Sequence, residues 1–161
     1  MKRRRMFVAT LVAGSLLLAG ATTALALDSD GYDVQTATSN GNKISAKVDK
    51  QAASKRIACA GKNERSSGYQ VDYILVSYVC QYWTGSTWAD WHTAPKHDCS
   101  NCASTGWSNN DYYYPCDHFG SGTVSVRGQA DGYYINNGFR NDFAGDGVET
   151  DYVNFSITNL C

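Results

Sequence analysis

Hydrophobic and polar residues alternate along residues 69–92, and this pattern predicts a β-hairpin. Residues 69–83 are rich in aromatic and β-branched side chains and contain no proline or glycine, which is typical of a partly buried strand. Gly85-Ser86 follows between two threonines and matches the glycine-first sequence of a two-residue turn. Counting outwards from that turn pairs Trp83 with Trp88, Tyr82 with Ala89, Gln81 with Asp90, Cys80 with Trp91, and Val79 with His92.

Strand side chains point alternately to opposite sides, so this hairpin has two predicted faces. One face is apolar and is predicted to lie in the core: Ile74, Val76, Tyr78, Cys80, Tyr82, Ala89 and Trp91. The other mixes polar side chains with two indoles and is predicted to meet solvent: Ser77, Val79, Gln81, Trp83, Trp88, Asp90 and His92. A slip of one residue would exchange the two faces, so both assignments depend on the turn.

Alternating stretches elsewhere predict an all-β protein. Within 122–131, Val124 and Val126 face one way while Arg127 and Gln129 face the other, and a further strand ends the chain. Six or seven short strands, with no convincing helix after residue 26, predict a single disulfide-stapled antiparallel β-sandwich; a small β-barrel is the alternative. The predicted domain covers 43–161, and the polar segment 27–42 is predicted to be a flexible leader.

Residues 1–26 have the features of a cleaved signal peptide. Four basic residues at positions 2–5 precede an apolar run, and Ala24-Leu25-Ala26 supplies a small-x-small cleavage sequence. Arg4-Arg5 also resembles a twin-arginine export signal, so the choice between that route and general secretion stays open. No second apolar run is long enough to cross a bilayer. We therefore expect a secreted, extracellular bacterial protein.

The charge of the chain argues against nucleic acid as a partner. Without the four basic residues of the signal, 10 of the 14 Lys and Arg remain against 15 Asp and Glu, a net charge of −5. Seven of these basic residues nevertheless crowd into 43–65. A solvated face is the ordinary explanation for such a cluster, and binding to an anionic cell-wall polymer is the more specific one.

The six cysteines, an even number in an exported chain, predict three disulfides. Three lie on predicted strands and three in the long loop 93–122; these are Cys59, Cys80 and Cys161, and Cys99, Cys102 and Cys116 respectively. Three loop cysteines cannot pair among themselves, so at least one bridge must join the loop to a strand. We expect one bridge within the loop, one from loop to strand, and one between strands.

If all six cysteines form disulfides, we expect the protein to need no cofactor. Zinc and calcium sites are the alternatives. Cys99, Cys102, Cys116 and His118 would make a tetrahedral zinc set, although that use leaves an odd number of cysteines elsewhere. Calcium would suit the carboxylates of 28–33 or of 141–151, but neither stretch has a full ligand pattern.

Aromatic residues give the best indication of function. The chain has 5 Phe, 11 Tyr and 4 Trp, more than a core of this size needs. Exposed rings beside short polar side chains suit glycans, whose apolar C–H faces stack while their hydroxyls form hydrogen bonds. The sharpest such group is Trp83 and Trp88 with Gln81, Asp90 and His92, although facing indoles also stabilise hairpins simply by packing on each other. We expect a non-enzymatic protein that binds a glycan or another cell-surface component.

A small secreted hydrolase or toxin that uses His92, His97 or His118 is the alternative function. The sequence contains no Gly-x-Ser-x-Gly, no His-Glu-x-x-His and no phosphate-binding glycine loop, which disfavours the common hydrolase classes. A zinc-stabilised interaction domain is a third hypothesis. The sequence leaves the oligomeric state open.

Overall fold

The structure is a computed structural model that describes residues 29–94, 96–108 and 111–161. The predicted signal peptide, residues 1–26, lies outside this range. The described residues form eleven strands: β1 (Gly31–Ser39), β2 (Asn42–Gln51), β3 (Arg56–Arg65), β4 (Val71–Trp83), β5 (Trp88–Thr93), β6 (His97–Cys102), β7 (Asp111–Tyr113), β8 (Thr123–Asn136), β9 (Phe139–Asp142), β10 (Val148–Glu149) and β11 (Val153–Ser156). Helical structure is limited to a 3₁₀ turn and two single turns of α-helix: Ala52–Ser54, α1 (Pro115–His118) and α2 (Ile157–Leu160). None of the helices within the described ranges has the length and apolar character that crossing a membrane requires.

The strands form two antiparallel sheets that pack face to face. Sheet A has the order β1-β2-β3-β7. Sheet B has the order β10-β8-β4-β5, with β6 also paired to β4, and with β9 and β11 also paired to β8. The all-β, disulfide-stapled sandwich predicted from the sequence is confirmed, whereas the alternative of a closed barrel is wrong because the two sheets remain separate.

The core lies between the inner faces of the two sheets. Alternate residues of β2 and β3 point toward alternate residues of β4 and β8, as strand geometry requires. Fully buried examples from the two sheets are Ile44, Val48, Ile57, Val76 and Val126. The disulfide between Cys59 of β3 and Cys80 of β4 crosses this core and joins the sheets covalently.

The predicted core face of the hairpin is buried where β4 contributes to it. Ile74, Val76, Tyr78 and Cys80 are each no more than 4% exposed. The remaining members of that face, Tyr82, Ala89 and Trp91, are half-buried because they lie toward the end of the sheet. On the opposite face, Gln81 is only 9% exposed, so the prediction that it meets solvent is wrong.

The predicted turn and the register next to it are confirmed. Gly85 adopts a positive φ of 100°, and the Thr84 amide donates to the Thr87 carbonyl at 2.9 Å. Trp83 pairs with Trp88, Tyr82 with Ala89, and Gln81 with Asp90.

Beyond Gln81 the predicted register is wrong because a β-bulge intervenes between Cys80 and Gln81. Cys80 pairs with His92 instead of Trp91, and Val79 pairs with Thr93 instead of His92. The bulge inserts one extra residue into β5 and shifts every later pairing by one. His92 consequently lies opposite Cys80, whose side chain points into the core.

In the segment predicted as a flexible leader, 27–42, the structure describes residues 29–42, and most of these form a strand. Nine of its residues form β1, which pairs with β2 along its whole length, from Gly31 opposite Lys50 to Ser39 opposite Asn42. Its polar composition results from a position at the edge of sheet A, where most of its side chains meet solvent. Sheet A therefore includes the nine residues of β1, all of which precede position 43.

The three disulfides group the cysteines as predicted: Cys99 bonds to Cys102, Cys116 to Cys161, and Cys59 to Cys80. The predicted surroundings are correct only for Cys59–Cys80, which joins two strands, because Cys99 and Cys102 lie on β6 instead of in a loop and Cys161 follows α2 instead of lying on a strand. The alternative zinc set of Cys99, Cys102, Cys116 and His118 is therefore wrong, because its three sulfurs are consumed in two different disulfides.

The carboxylates considered for calcium have other partners. Asp30 accepts a hydrogen bond from the Ala52 amide at 2.7 Å, and Asp33 accepts one from the Asp151 amide at 2.8 Å. In the second stretch, Asp142 binds Arg140 and Glu149 binds Arg127. Across the described ranges, no three His, Cys, Asp or Glu side chains are arranged to hold a metal ion.

Candidate functional site

An aromatic surface lies on the outer face of sheet B. Trp83 and Trp88 are directly opposite each other on β4 and β5, and their ring centroids are 5.5 Å apart. The ring of Tyr152 lies 6.3 Å from that of Trp88 and extends the surface toward β11. We call Trp83, Trp88 and Tyr152 the aromatic platform; Trp83 is 42% exposed and Tyr152 is 59% exposed, while Trp88 between them is half-buried.

Arg127 of β8 holds the middle ring of this platform in place. Its guanidinium lies 4.5 Å from the centroid of the Trp88 ring, within the range of a cation–π interaction. The same guanidinium binds both carboxylate oxygens of Glu149, at 2.5 and 2.6 Å. A bidentate salt bridge of this kind fixes the plane of the guanidinium, so Trp88 packs against a charged group with a fixed orientation.

Gln81 connects the platform to a polar network under it. Its amide nitrogen donates to Asp90 and to Gln129, each at 2.9 Å, and its carbonyl oxygen accepts from Nε of Arg127 at 2.9 Å. Gln81 thus links three strands, β4, β5 and β8, with its amide group fully used. We therefore assign Gln81 to supporting the site and not to contacting a ligand.

A shallow cavity of about 290 Å³ opens beside this network on the same face. Asp90, Gln129, Asp131 and Asp146 line it together with Ser77 and Thr93. Gln129 donates to the Asp146 carbonyl at 2.6 Å, which joins the cavity wall to the loop before β10. Burial, reinforced by the nearby charge of Asp142, raises the pKa of Asp131 above its usual range, although the Gly132 amide opposes that rise. The cavity therefore offers carboxylate, amide and hydroxyl groups on the same face of sheet B as the aromatic platform.

His92 does not join the predicted site. The bulge sends its ring away from Trp83 and Trp88, and it stacks on Tyr113 with centroids 4.1 Å apart and an interplanar angle of 8°. Burial, and secondly the charge of His118, lowers the pKa of His92. Burial, followed by the charge of Asp111, raises the pKa of Tyr113 to about 12. His92 thus belongs to an aromatic cluster at the end of β5.

The other two histidines of the sequence lie in different surroundings. His118, on α1, shares that cluster, because its ring centroid is 5.8 Å from that of Trp91 and 4.6 Å from that of Phe119. His97 lies on β6 with Nε2 at 2.8 Å from the Thr105 carbonyl oxygen, so its ring anchors a loop. Two of the three histidines therefore lie close to the same indole, that of Trp91.

Sequence reasoning missed four residues of this face: Arg127, Gln129, Glu149 and Tyr152. The alternation within 122–131 correctly placed Arg127 and Gln129 on one polar face. It gave no indication that β8 is the neighbour of β4, where Arg127 lies opposite Gln81 and Gln129 opposite Val79. Glu149 and Tyr152 come from the following segment and reach the site only through the folding of sheet B.

Comparison of the chain with protein-family models, with curated proteins and with solved structures finds no match in any of the three.

Proposed function

We propose that this protein binds a glycan through the aromatic platform of sheet B. The observation that carries the proposal is the position of Trp83, whose ring is substantially exposed and packs beside Trp88, which Arg127 contacts in turn. The exposed apolar surface of this indole is available to a ligand. Because the side chain is already held in place, a ligand that stacks on it gains apolar contact at little cost in conformational entropy. Rigid aromatic side chains are typical anchors of binding surfaces for that reason.

The groups beside the platform suit the polar edge of a sugar. A sugar ring presents C–H groups on its faces and hydroxyl groups around its rim. With one sugar unit stacked on Trp83, the hydroxyls of neighbouring units along the chain would meet Asp90, Gln129 and the other polar groups of the cavity on the same face. Ionised carboxylates accept hydrogen bonds from hydroxyls more strongly than neutral groups do, which favours Asp90 as a ligand contact.

The test is retention of the purified protein on insoluble polysaccharides of different linkage, with cellulose, chitin and xylan as the first panel. We expect Trp83→Ala to weaken retention on the bound polysaccharide by on the order of tenfold, which corresponds to about 1.4 kcal/mol. Tyr32→Ala is the matched control, because Tyr32 is an exposed aromatic side chain (65%) on β1 of the other sheet and belongs to neither proposed site. Unchanged retention of Trp83→Ala would contradict the proposal, and so would a Trp83→Ala protein that fails to fold.

The proposal includes an extracellular location. Three disulfides join all six cysteines, which is the state expected in an oxidising compartment. A glycan of a cell surface or of the surrounding matrix is then the natural partner. Alkylation of the unreduced protein followed by intact mass measurement should find no modified thiol.

A histidine-dependent hydrolase is the second candidate function, and one observation favours it. His92 and His118 lie near the same indole and interact electrostatically, and the lowered pKa of His92 leaves its imidazole neutral at physiological pH. A neutral imidazole is a competent general base. An activity screen on phosphodiester and glycoside substrates should then lose its signal in both His92→Ala and His118→Ala, while His97→Ala retains it.

A further inference from the structure

The outer face of sheet A carries a second exposed indole, and two lysine side chains lie close to its ring. Trp107 lies in the loop between β6 and β7, and its ring centroid is 5.3 Å from Nζ of Lys47 and 5.4 Å from Nζ of Lys62. The two lysines come from adjacent strands, β2 and β3. Trp107 and the two lysines lie on the outer face of sheet A, whereas the aromatic platform lies on the outer face of sheet B. The two groups are therefore on opposite sides of the sandwich.

The loop that carries Trp107 is held firmly along the edge of β3. Residues on both sides of the indole bond to that strand: the Thr105 amide donates to the Asn63 carbonyl and the Ser108 amide to the Gly61 carbonyl, each at 2.9 Å. Their hydroxyls accept in return from the amides of the same two residues, at 3.1 and 3.0 Å. Thr105 and Ser108 are also buried. Trp107 is therefore presented by a pre-organised backbone, which lowers the entropic cost of binding.

The strand register places an excess of positive charge on this face. The outward positions of β2 and β3 carry four cations and two carboxylates, a net charge of +2: Lys43, Lys47, Arg56 and Lys62 against Asp49 and Glu64. Glu64 pairs with Lys62 at 2.9 Å and with Lys43 at 3.5 Å, so one carboxylate serves two of the lysines. The basic residues that crowd 43–65 are thus partly sorted onto one surface, although Lys50 points inward and donates to the Asn154 carbonyl.

Hydroxyl groups of the neighbouring strand border the same face. Thr38 lies opposite Lys43 and Thr36 opposite Ser45, whose hydroxyls are 2.8 Å apart. Lys43 and Lys47 are four residues apart on β2, which at a strand rise of about 3.3 Å per residue separates their backbones by roughly 13 Å. That distance corresponds to more than one sugar unit along an extended polymer.

We propose that Trp107, Lys47 and Lys62 form a second binding site, whose ligand is an anionic sugar polymer with carboxylates on its pyranose rings. The ring of a uronate unit would stack on the indole, and its carboxylate would lie between the two ammonium groups. Lys43 would meet a carboxylate further along the chain. A polyanion without rings would use the charges but not the indole, and a neutral glycan would use the indole but not the charges. The site is independent of the aromatic platform, and the proposal does not rest on that platform's function.

The test compares three soluble polymers by equilibrium binding to the oxidised protein at low salt. Polygalacturonate is the probe, its methyl-esterified form keeps the ring but removes the charge, and inorganic polyphosphate keeps charge without a ring. We expect polygalacturonate to bind at least about tenfold more tightly than either of the others, and its affinity to fall with added salt. Equal binding of polyphosphate, equal binding of the ester, or no binding of polygalacturonate would each overturn the proposal.

Substitutions of Trp107, Lys47 and Lys62 test whether these side chains bind polygalacturonate. Trp107→Ala should weaken binding of polygalacturonate by on the order of tenfold, and Trp107→Tyr should recover most of that loss because a ring remains. Lys47→Gln and Lys62→Gln should each weaken binding severalfold, whereas Lys96→Gln removes one exposed positive charge elsewhere and should change little. Trp83→Ala should leave binding of polygalacturonate intact, which separates this site from the platform. Wild-type affinity in Trp107→Ala would reject the assignment.

Discussion

Asn63 shows how a single polar side chain can be needed in an apolar core. It is fully buried on the inner face of β3, and its Nδ2 lies 3.0 Å from Oδ1 of Asn42 and 3.0 Å from the Leu75 carbonyl oxygen. It also lies 3.3 Å from the Tyr133 carbonyl oxygen. Asn63 therefore ties sheet A to both central strands of sheet B, at the cost of desolvating an amide.

Replacing Asn63 with leucine should destabilise the protein by about 1–3 kcal/mol, because buried acceptors across the interface lose their donor while the volume changes little. Urea unfolding measures the difference. Asn154→Leu is the control, since Asn154 is exposed on β11, and we expect it to remain within about 0.5 kcal/mol of the wild type. A similar small effect for both variants would show that the amide network contributes nothing net.

His92 should make stability depend on pH. Burial, and secondly the charge of His118, lowers its pKa in the folded protein, so the unfolded chain binds a proton more readily. Stability is therefore complete above the ordinary histidine pKa of about 6.5 and falls as the pH drops below it. We expect a smaller loss of stability between neutral pH and about pH 5 in His92→Asn than in the wild type, measured by urea unfolding. Identical losses would contradict this origin.

At the scale of elements, the hairpin β4–β5 depends on a turn and on a bulge. The turn aligns Trp83 with Trp88, and the bulge beyond Gln81 removes His92 from their face. Two adjacent irregularities in one strand pair thus divide the aromatic residues between the platform and the cluster around Trp91. The composition of the candidate site is therefore determined by the turn and the bulge, where regular strand pairing is interrupted.

The turn itself is testable through Gly85, which has a φ of 100° and no atom within 4 Å of the place where a Cβ would be. Gly85→Ala should cost about 1 kcal/mol from backbone conformation alone. Gly120→Ala is the matched control, because that glycine has equally open surroundings without a positive φ, and it should be close to neutral. Thermal unfolding compares the two, and equal midpoints would mean that Gly85 is not constrained by the turn.

At the scale of the whole molecule, the three disulfides differ in what they hold together. Cys59–Cys80 joins the two sheets within the core, and Cys116–Cys161 ties α1 to the chain end across 45 positions. Cys99–Cys102 spans 3 positions within β6. The entropy that a bridge removes from the unfolded chain grows with the length of the loop that it closes.

Removing Cys59–Cys80 with paired alanines should cost about 2–4 kcal/mol from chain entropy, with a further loss from the buried sulfur atoms. The equivalent change at Cys99–Cys102 should cost clearly less, because its loop is so short. Chemical denaturation of the two double variants measures the contrast. Equal destabilisation would show that loop closure between the sheets is not what stabilises the sandwich.

The sequence by itself determined the features that depend on neighbours along the chain. Period-2 alternation in β4 and β8 identified their faces, Gly85 marked the turn, and the parity of the cysteines required at least one bridge to leave the group Cys99, Cys102 and Cys116. Only the tertiary structure decided that β1 completes sheet A, since its polar residues pair with β2 at an edge. It also decided that Arg127 contacts Trp88 and that the ring of Trp107 lies close to both Lys47 and Lys62. Those contacts join residues distant in the chain, and alternation specifies which way a side chain faces but not which strand lies beside it.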